Sequence, residues 1–356
     1  MKKPSVLFLV PYPLKKAPSQ RFRVELFFDT MTEAGIQFKI SPFLDEKTWD
    51  VLYKKGLLFK KSWGIFTGFL KRWVDVFRAI RYDFVFIHRE AAPIGPPIFE
   101  WVLVKLFRKK IIYDFDDAIW IPNTTRANKF ANGLKCFWKV KHICKWAYKI
   151  TAGNQYLCDY ARQYNVNVVY LPTVVDTDDR HNRVKHHAEV LPVVGWTGSH
   201  STLKYLNEIV PILQELEKSQ VNFVVISDKA PGIQLQGLVF IPWKEESEVD
   251  DLLKLDIGLM PLENDKWSEG KCGFKLIQYL SLGIPAIASP VGVNKTIIEN
   301  DVNGYLCSSA NEWESALKKL LANPALREQM GKKGREKILR DYSLASQREK
   351  FIQLFA

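Results

Sequence analysis

The sequence predicts two α/β halves, each built on a parallel sheet, followed by a tail of helices. Two patterns carry that reading: short apolar runs alternate with helical spacing through both halves, and beyond Trp313 only helical spacing remains. The chain's 356 residues, 47% of them apolar, also exceed the usual size of one domain and suffice for two full cores.

The first strand is Val6–Val10, an unbroken apolar run stopped by Pro11. The lysines ahead of it imitate a signal peptide, but the run is too short for one. Strands at Phe38–Ser41, Phe84–His88, Lys110–Tyr113, Ile150–Ala152 and Val168–Tyr170 complete the first half. The second half repeats the theme at Val193–Trp196, Asn222–Ile226, Leu238–Pro242, Ile257–Pro261, Ala286–Ser289 and, briefly, Gly304–Cys307. Helices at Glu312–Asn323, Pro324–Asp341 and Leu344–Phe355 finish the chain. Residues 176–187 lack apolar periodicity and follow a turn at Pro172, so they read as a linker with the boundary near residue 185. The expected domains are therefore 1–185 and 186–340, with the helix 341–356 packing back on the first. His181, His186 and His187 have no carboxylate or cysteine partners at ligand spacing and read as solvated linker histidines rather than metal ligands.

Composition removes several classes. The longest helical apolar stretch, Ile98–Phe107, contains Glu100 and Lys105 and falls short of the roughly 18 residues a spanning helix needs. Five cysteines, an odd number with no Cys-x-x-Cys pair, fit a reducing compartment and argue against structural zinc. The net charge of +12 is uneven: residues 1–180 hold 30 Lys+Arg against 17 Asp+Glu, and residues 181–356 hold 21 against 22. A basic first half suits a polyanion, whether nucleic acid, an anionic membrane or a phosphorylated substrate. Open sheets bind ligands at the carboxyl ends of their strands, so two facing sheets would put a nucleotide and a second substrate in one interdomain cleft.

The most specific segment runs from Gly270 to Ser289. Gly270–Gly273 is a glycine-bounded loop, Leu276, Ile277, Leu280 and Leu282 give a helix its apolar positions, Gly283 ends it in a left-handed cap and Pro285 prevents its continuation. The first amides of such a helix point outward unpaired, so the loop can hold an anion, with Lys275 and Gln278 on one face. An ordinary αβ unit would carry the same glycines.

Together these residues resemble the retaining GT-B glycosyltransferases of family 4, glycosyl transferases group 1, which move a sugar from a nucleotide-sugar donor. Gly273-Phe274, Leu282-Gly283-Ile284-Pro285, Ala288-Ser289 and Val291-Gly292 match the frame of that family's donor motif. Asn303-Gly304 with the Trp313–Leu321 helix, Leu171–Asp176 and Gly195–His200 match other family segments. The resemblance implies two Rossmann-like domains facing each other, the second binding a nucleotide-diphosphate sugar as co-substrate, with no other cofactor and no metal. It assigns donor contacts to Gly198, Ser199, His200, Trp243, Lys271, Cys272, Gly273, Phe274, Lys275 and Gln278.

The sequence also departs from that pattern. Gln278 stands where the family's second glutamate takes ribose hydrogen bonds, and a glutamine keeps one acceptor while adding donors. The first glutamate's place falls on Gly270, with Glu269 adjacent and able to substitute if the loop shifts by one residue. Trp196 stands at the place of a phosphate-binding arginine, leaving the Gly198 and Ser199 amides, with Lys275 or Lys271, to hold the diphosphate.

In the first half, Asp114, Asp116 and Asp117 follow a strand directly, and such carboxylates are solvated, paired or functional. Related transferases often carry a His-Asp pair at this corner; aligning the strands puts Asp116 near the histidine and Asp117 near the aspartate. Asp116 is thus expected to orient or deprotonate the acceptor hydroxyl, ahead of a metal-binding role for Asp114-Phe115-Asp116. His88 and Arg89 end a strand, and Arg21 follows the first strand, so with Asp114 they are the expected acceptor or phosphate contacts. Arg21 has an alternative at helical spacing, an ion pair with Glu25. Trp243 either stacks on the nucleotide base or covers the sheet.

Two basic-aromatic segments, Lys54–Trp73 and Lys135–Trp146, read as interfacial helices or as core helices with snorkelling lysines. With the basic first half they favour an anionic membrane holding a lipid-linked acceptor. The expected protein is a cytoplasmic, peripherally membrane-bound transferase acting on a glycan or lipid-linked acceptor in cell-surface polysaccharide synthesis. The alternatives are a nucleotide-sugar epimerase on the same fold, a non-catalytic relative, and last a nucleic-acid-binding protein, for which no module signature exists.

Overall fold

The computed structural model describes residues 3–52, 54, 56–122, 133–187, 191–216 and 221–356. The chain folds into two units, one of Met1–Thr173 with Gln347–Ala356 and one of Val174–Ser346. In unit 1, β1 (Ser5–Val10), β2 (Gln37–Pro42), β3 (Phe84–His88), β4 (Lys110–Phe115), β5 (Lys149–Ala152) and β6 (Val168–Tyr170) pair in the order β2-β1-β3-β4-β5-β6. In unit 2, β7 (Val193–Thr197), β8 (Asn222–Ser227), β9 (Leu238–Pro242), β10 (Ile257–Met260), β11 (Ala286–Ala288) and β12 (Gly304–Leu306) pair as β12-β11-β10-β7-β8-β9. Both sheets are wholly parallel. Every expected strand forms, because strands covered on both faces keep continuous apolar runs that stand out in the sequence.

Phe8 and Phe86 pack at 4.9 Å in the centre of unit 1. The end of the chain joins that core: Phe351 stacks on Phe27 at 4.0 Å, and Phe355 meets Phe8 and Phe84 edge-on. Unit 2 is closed by the Ala310–Leu321 and Pro324–Asp341 helices. Ser309 caps the first in a full capping box with Glu312.

The division between units falls at Thr173–Val174, earlier than the expected 185. The supposed linker is built into unit 2: Val175 N donates to Tyr342 O at 3.1 Å, Asp176 Oδ1 accepts from the amides of Asp178 and Asp179, and Lys185 N donates to Leu282 O at 2.8 Å. Two of its three histidines are correspondingly not solvated. The His181 side chain is buried, and that of His187 lies between Asp256 Oδ1 (3.3 Å) and Gly283 O (3.0 Å). A polar sequence hid a segment that bonds into unit 2.

Candidate active site

Each sheet reverses its strand order at one point, between β1 and β3 in unit 1 and between β7 and β10 in unit 2, and a polar corner stands at the carboxyl ends of those strands.

The corner of unit 2 begins at Thr197, whose amide donates to Tyr279 Oη at 2.9 Å. Tyr279 is buried beside Gly258, where any Cβ would strike its ring, and burial pushes its phenol up from its ordinary pKa. This ties the Phe274–Ser281 helix to both strands. Gly273 is its N-cap at φ 68°, and Gly283 follows its end at φ 72°, as the cap pattern predicts. The loop before it is set by Asp265, which accepts from Ser268 N at 2.7 Å, and by Gly292, where a Cβ would approach Glu269 O to 2.8 Å. Glu269 itself is half-buried, and Cys272 is buried in the loop, its Sγ 4.0 Å from Gly270 O.

Two lysines of this corner each lie over an indole. Lys275 Nζ is 5.4 Å from the centre of the Trp196 ring, and Lys271 Nζ is 5.1 Å from that of Trp267. Trp196, which occupies the expected arginine place, is 1% exposed and forms a platform for the cation. Gly198 completes the contact, since a Cβ there would meet both Trp196 (2.6 Å) and the Lys275 chain (2.8 Å). The Gly198 amide does not face a phosphate as expected. It donates to Ile226 O at 3.0 Å in line with the sheet, which leaves Ser199 as the exposed amide of the pair. His200 is held by Asp228, which accepts from its amide and meets its Nδ1, both at 2.6 Å. One turn beyond Lys275, Gln278 is 3% exposed, and its buried Nε2 has no hydrogen-bond partner among the described residues. Phe274 is half-exposed at the helix start, and Trp243 is half-exposed with Nε1 donating to Glu248 at 3.2 Å.

The corner of unit 1 is built on one row across three strands. His88, Asp114 and Thr151 are register neighbours on β3, β4 and β5. His88 Nδ1 lies 2.7 Å from Asp114 Oδ2, and Thr151 Oγ1 donates to Asp114 Oδ1 at 2.7 Å. Arg23 grips both Asp114 oxygens from above and donates to Leu171 O at 2.8 Å. Burial alone would raise the Asp114 pKa, but the Arg23 guanidinium and the His88 hydrogen bond hold it well below the usual carboxylate range. On its other side His88 Nε2 meets Ser19 Oγ at 2.9 Å.

This geometry corrects one expectation. A His-Asp pair does stand at this corner, His88 with Asp114. Asp114 is fully buried and its oxygens are taken by protein groups, so it does not face an acceptor or phosphate as expected. Asp116 and Asp117 instead share Arg89, at 2.7 and 2.5 Å from its NH2. Burial tends to raise the Asp116 pKa, but Arg89 overrides it and keeps the carboxylate ionised and poorly basic. Arg89 has φ 60°, a left-handed conformation costly for a side-chain-bearing residue, and its amide meets Asp114 O at 2.6 Å. Asp114 and Asp116 thus face different arginines and do not converge as a metal site. Arg21 is also buried, its guanidinium 4.9 Å from the Phe22 ring.

Residues 174–337 match the family model described as glycosyl transferases group 1. The match lies within unit 2. Solved structures extend the likeness to the whole chain. Sucrose-phosphate synthase from Thermosynechococcus elongatus aligns over 99% of this chain and 98% of its own, with TM-score 0.70 and 14% identity. Anabaena HepE in complex with UDP and glucose aligns over 99% of each chain, with TM-score 0.68 and 11% identity. A glycosyltransferase from Rickettsia africae aligns over 100% of this chain and 98% of its own, with TM-score 0.70 and 13% identity. The fold is that of the GT-B glycosyltransferases. At such identities, only the fold follows from these structures.

Sequence reasoning missed Ser19, Arg23, Thr151, Tyr279 and Asp228. For the first two a signal existed: Ser19 and Arg23 are four residues apart in a helix, hence on one face.

Proposed function

We propose that this chain transfers a sugar from a nucleoside-diphosphate sugar, held by unit 2, to a hydroxyl of a glycan or lipid-linked acceptor, retaining the anomeric configuration. The product would enter a cell-surface polysaccharide. The observation that carries this reading is Gln278: a buried, unpaired N–H donor costs about 1–3 kcal/mol, and it stands one turn from a lysine on the helix that follows the glycine loop. A ligand that is anionic at one end and rich in oxygen beyond it satisfies both groups. In this reading Gln278 binds the ribose. Lys275, the Ser199 amide and the first turn of the Phe274–Ser281 helix stabilise the departing diphosphate, so no metal or further cofactor is invoked. Lys271, Cys272, Gly273 and Phe274 line the loop, His200 is set by Asp228, Trp243 takes the base and Glu269 stands by the transferred sugar.

The acceptor oxygen bonds to the anomeric carbon on the face from which the diphosphate leaves with the electron pair, and the hydroxyl proton passes to a departing diphosphate oxygen. On the acceptor side, ionised Asp116 with Arg89 orients the hydroxyl, while Ser19, held by His88, is the outermost group of the buried row. The five thiols, none of them in a disulfide, fit cytoplasmic work.

Calorimetry with UDP, GDP and ADP tests the donor assignment, UDP first because HepE was solved with it. Binding of at least one nucleotide, weakened by Lys275→Ala, is expected; binding of none overturns it. Conversion of the nucleotide sugar to another sugar with no acceptor present would favour an epimerase.

A further inference from the structure

The Leu58–Arg78 helix is inside out. Its buried side carries Gly64, Gly68, Arg72, Asp75 and Val76, while Phe59, Trp63, Phe66, Leu70, Val74 and Phe77 lie 51–82% exposed. The exposed positions recur every three or four residues, so they form one continuous apolar stripe. Packing enforces this orientation. A Cβ at Gly68 would come within 2.7 Å of the Phe43 ring, and one at Gly64 would strike Thr48. Arg72 is fully buried and donates to Val10 O (2.7 Å), Ser41 O (2.8 Å) and Ala91 O (2.6 Å), with Asp75 beside it at 2.9 Å. Rotating the stripe inward would strip those carbonyls and leave a buried ion pair without partners.

We infer that this stripe is a docking face for an anionic lipid bilayer. Soluble surfaces rarely expose so large a contiguous apolar patch without a partner. The stripe extends onto the neighbouring helix: Trp73 packs edge-on to Phe99 at 5.1 Å, beside exposed Trp101 and Leu106. Its charges select the occupant. From Lys54 to Arg81 the only acid is Asp75, buried between Arg72 and Arg78, whereas Lys54, Lys60 and Lys71 are exposed; Lys55 lies outside the described residues. A second copy of the same face would set lysines against lysines, whereas anionic headgroups neutralise them while the rings enter the acyl boundary. This inference stands apart from the transferase reading, because bilayer binding needs no sugar donor.

The test is co-sedimentation with two kinds of vesicle, phosphatidylcholine alone and phosphatidylcholine with about one third phosphatidylglycerol, compared at low and high salt. Binding at least about tenfold stronger to the anionic vesicles at low salt is expected. Trp63→Ser with Phe66→Ser should reduce binding to them at least about tenfold, since each ring loses its buried area. Lys60→Glu with Lys61→Glu should remove only the preference for anionic lipid. Quenching of the wild-type tryptophans by brominated lipid needs no variant, and its absence would overturn the inference. So would wild-type binding indifferent to phosphatidylglycerol, or sedimentation velocity showing a dimer that Trp63→Ser with Phe66→Ser turns into a monomer. Circular dichroism and a melting temperature unchanged from wild type show that both variants remain folded.

Discussion

The Lys275 ammonium lies 5.4 Å from the centre of the Trp196 ring, beside a glycine that leaves room for nothing else. An indole thus supports a cation from another element and keeps positive charge at this corner. Lys275→Ala should weaken nucleoside-diphosphate binding about tenfold, near 1.4 kcal/mol, with the salt dependence of binding reduced. Because Lys275 is half-exposed, the melting temperature should barely move. Calorimetry at two ionic strengths measures the first effect and differential scanning fluorimetry the second.

Gln278 supports a prediction of opposite signs. Replacing its unpaired buried amide with Met should stabilise the ligand-free protein by about 1 kcal/mol and weaken nucleotide binding. Urea denaturation with and without nucleotide checks both. A loss of stability would show that Nε2 is satisfied in solution.

The Asp114–Arg23 pair sets an acid response. Because the folded pKa of Asp114 lies below its unfolded value of about 3.9, its contribution to stability is present above that pH and is lost as pH falls through the folded value. Asp114→Asn should cost roughly 3–5 kcal/mol near neutrality by leaving Arg23 buried without its counter-charge. It should also flatten the fall in urea midpoint on acidification, and denaturation at several pH values reads out both.

His88→Ala should lower turnover by about a hundredfold while nucleotide affinity stays unchanged, because His88 holds Ser19 in unit 1 and the proposed donor groups lie in unit 2. Ser19→Ala should show a smaller loss of the same kind. Separate measurement of kcat and donor affinity distinguishes this from general damage.

Glu269→Gln should cut turnover if Glu269 serves the transferred sugar in place of the missing first glutamate. Undiminished turnover would remove Glu269 from the chemistry. Single-time-point assays with donor and acceptor suffice.

The strands were legible because a parallel sheet covered on both faces demands unbroken apolar runs; only at edges such as Gln37–Pro42 does exposure alternate. The Gly270–Gly273 loop and its helix were legible because Gly273 and Gly283 occupy left-handed conformations that few other residues adopt. The His88–Asp114 pair was not. The two residues are 26 apart in the chain and meet only through the register of β3 and β4, which composition does not encode. The linker misled for a related reason: polar residues such as Asp176 and His187 bond to backbone and side chains without any apolar periodicity. For the Leu58–Arg78 helix, amphipathic spacing announces two faces without saying which one is buried. Gly64 and Gly68 on the polar side were the signal, since close helix packing needs small residues.

The return of Gln347–Ala356 to unit 1 has a consequence for synthesis. A ribosome finishes the first 173 residues long before Phe351 and Phe355 emerge, and until then Phe8, Phe27 and Phe84 lack the rings that cover them. Unit 2 can close as soon as Ser346 leaves the exit tunnel, whereas the nascent amino-terminal half must wait with an open aromatic core. Unit 1 is therefore completed only after unit 2 has been synthesised, and limited proteolysis of chains with and without Gln347–Ala356 should show protection of the first half only when that segment is present.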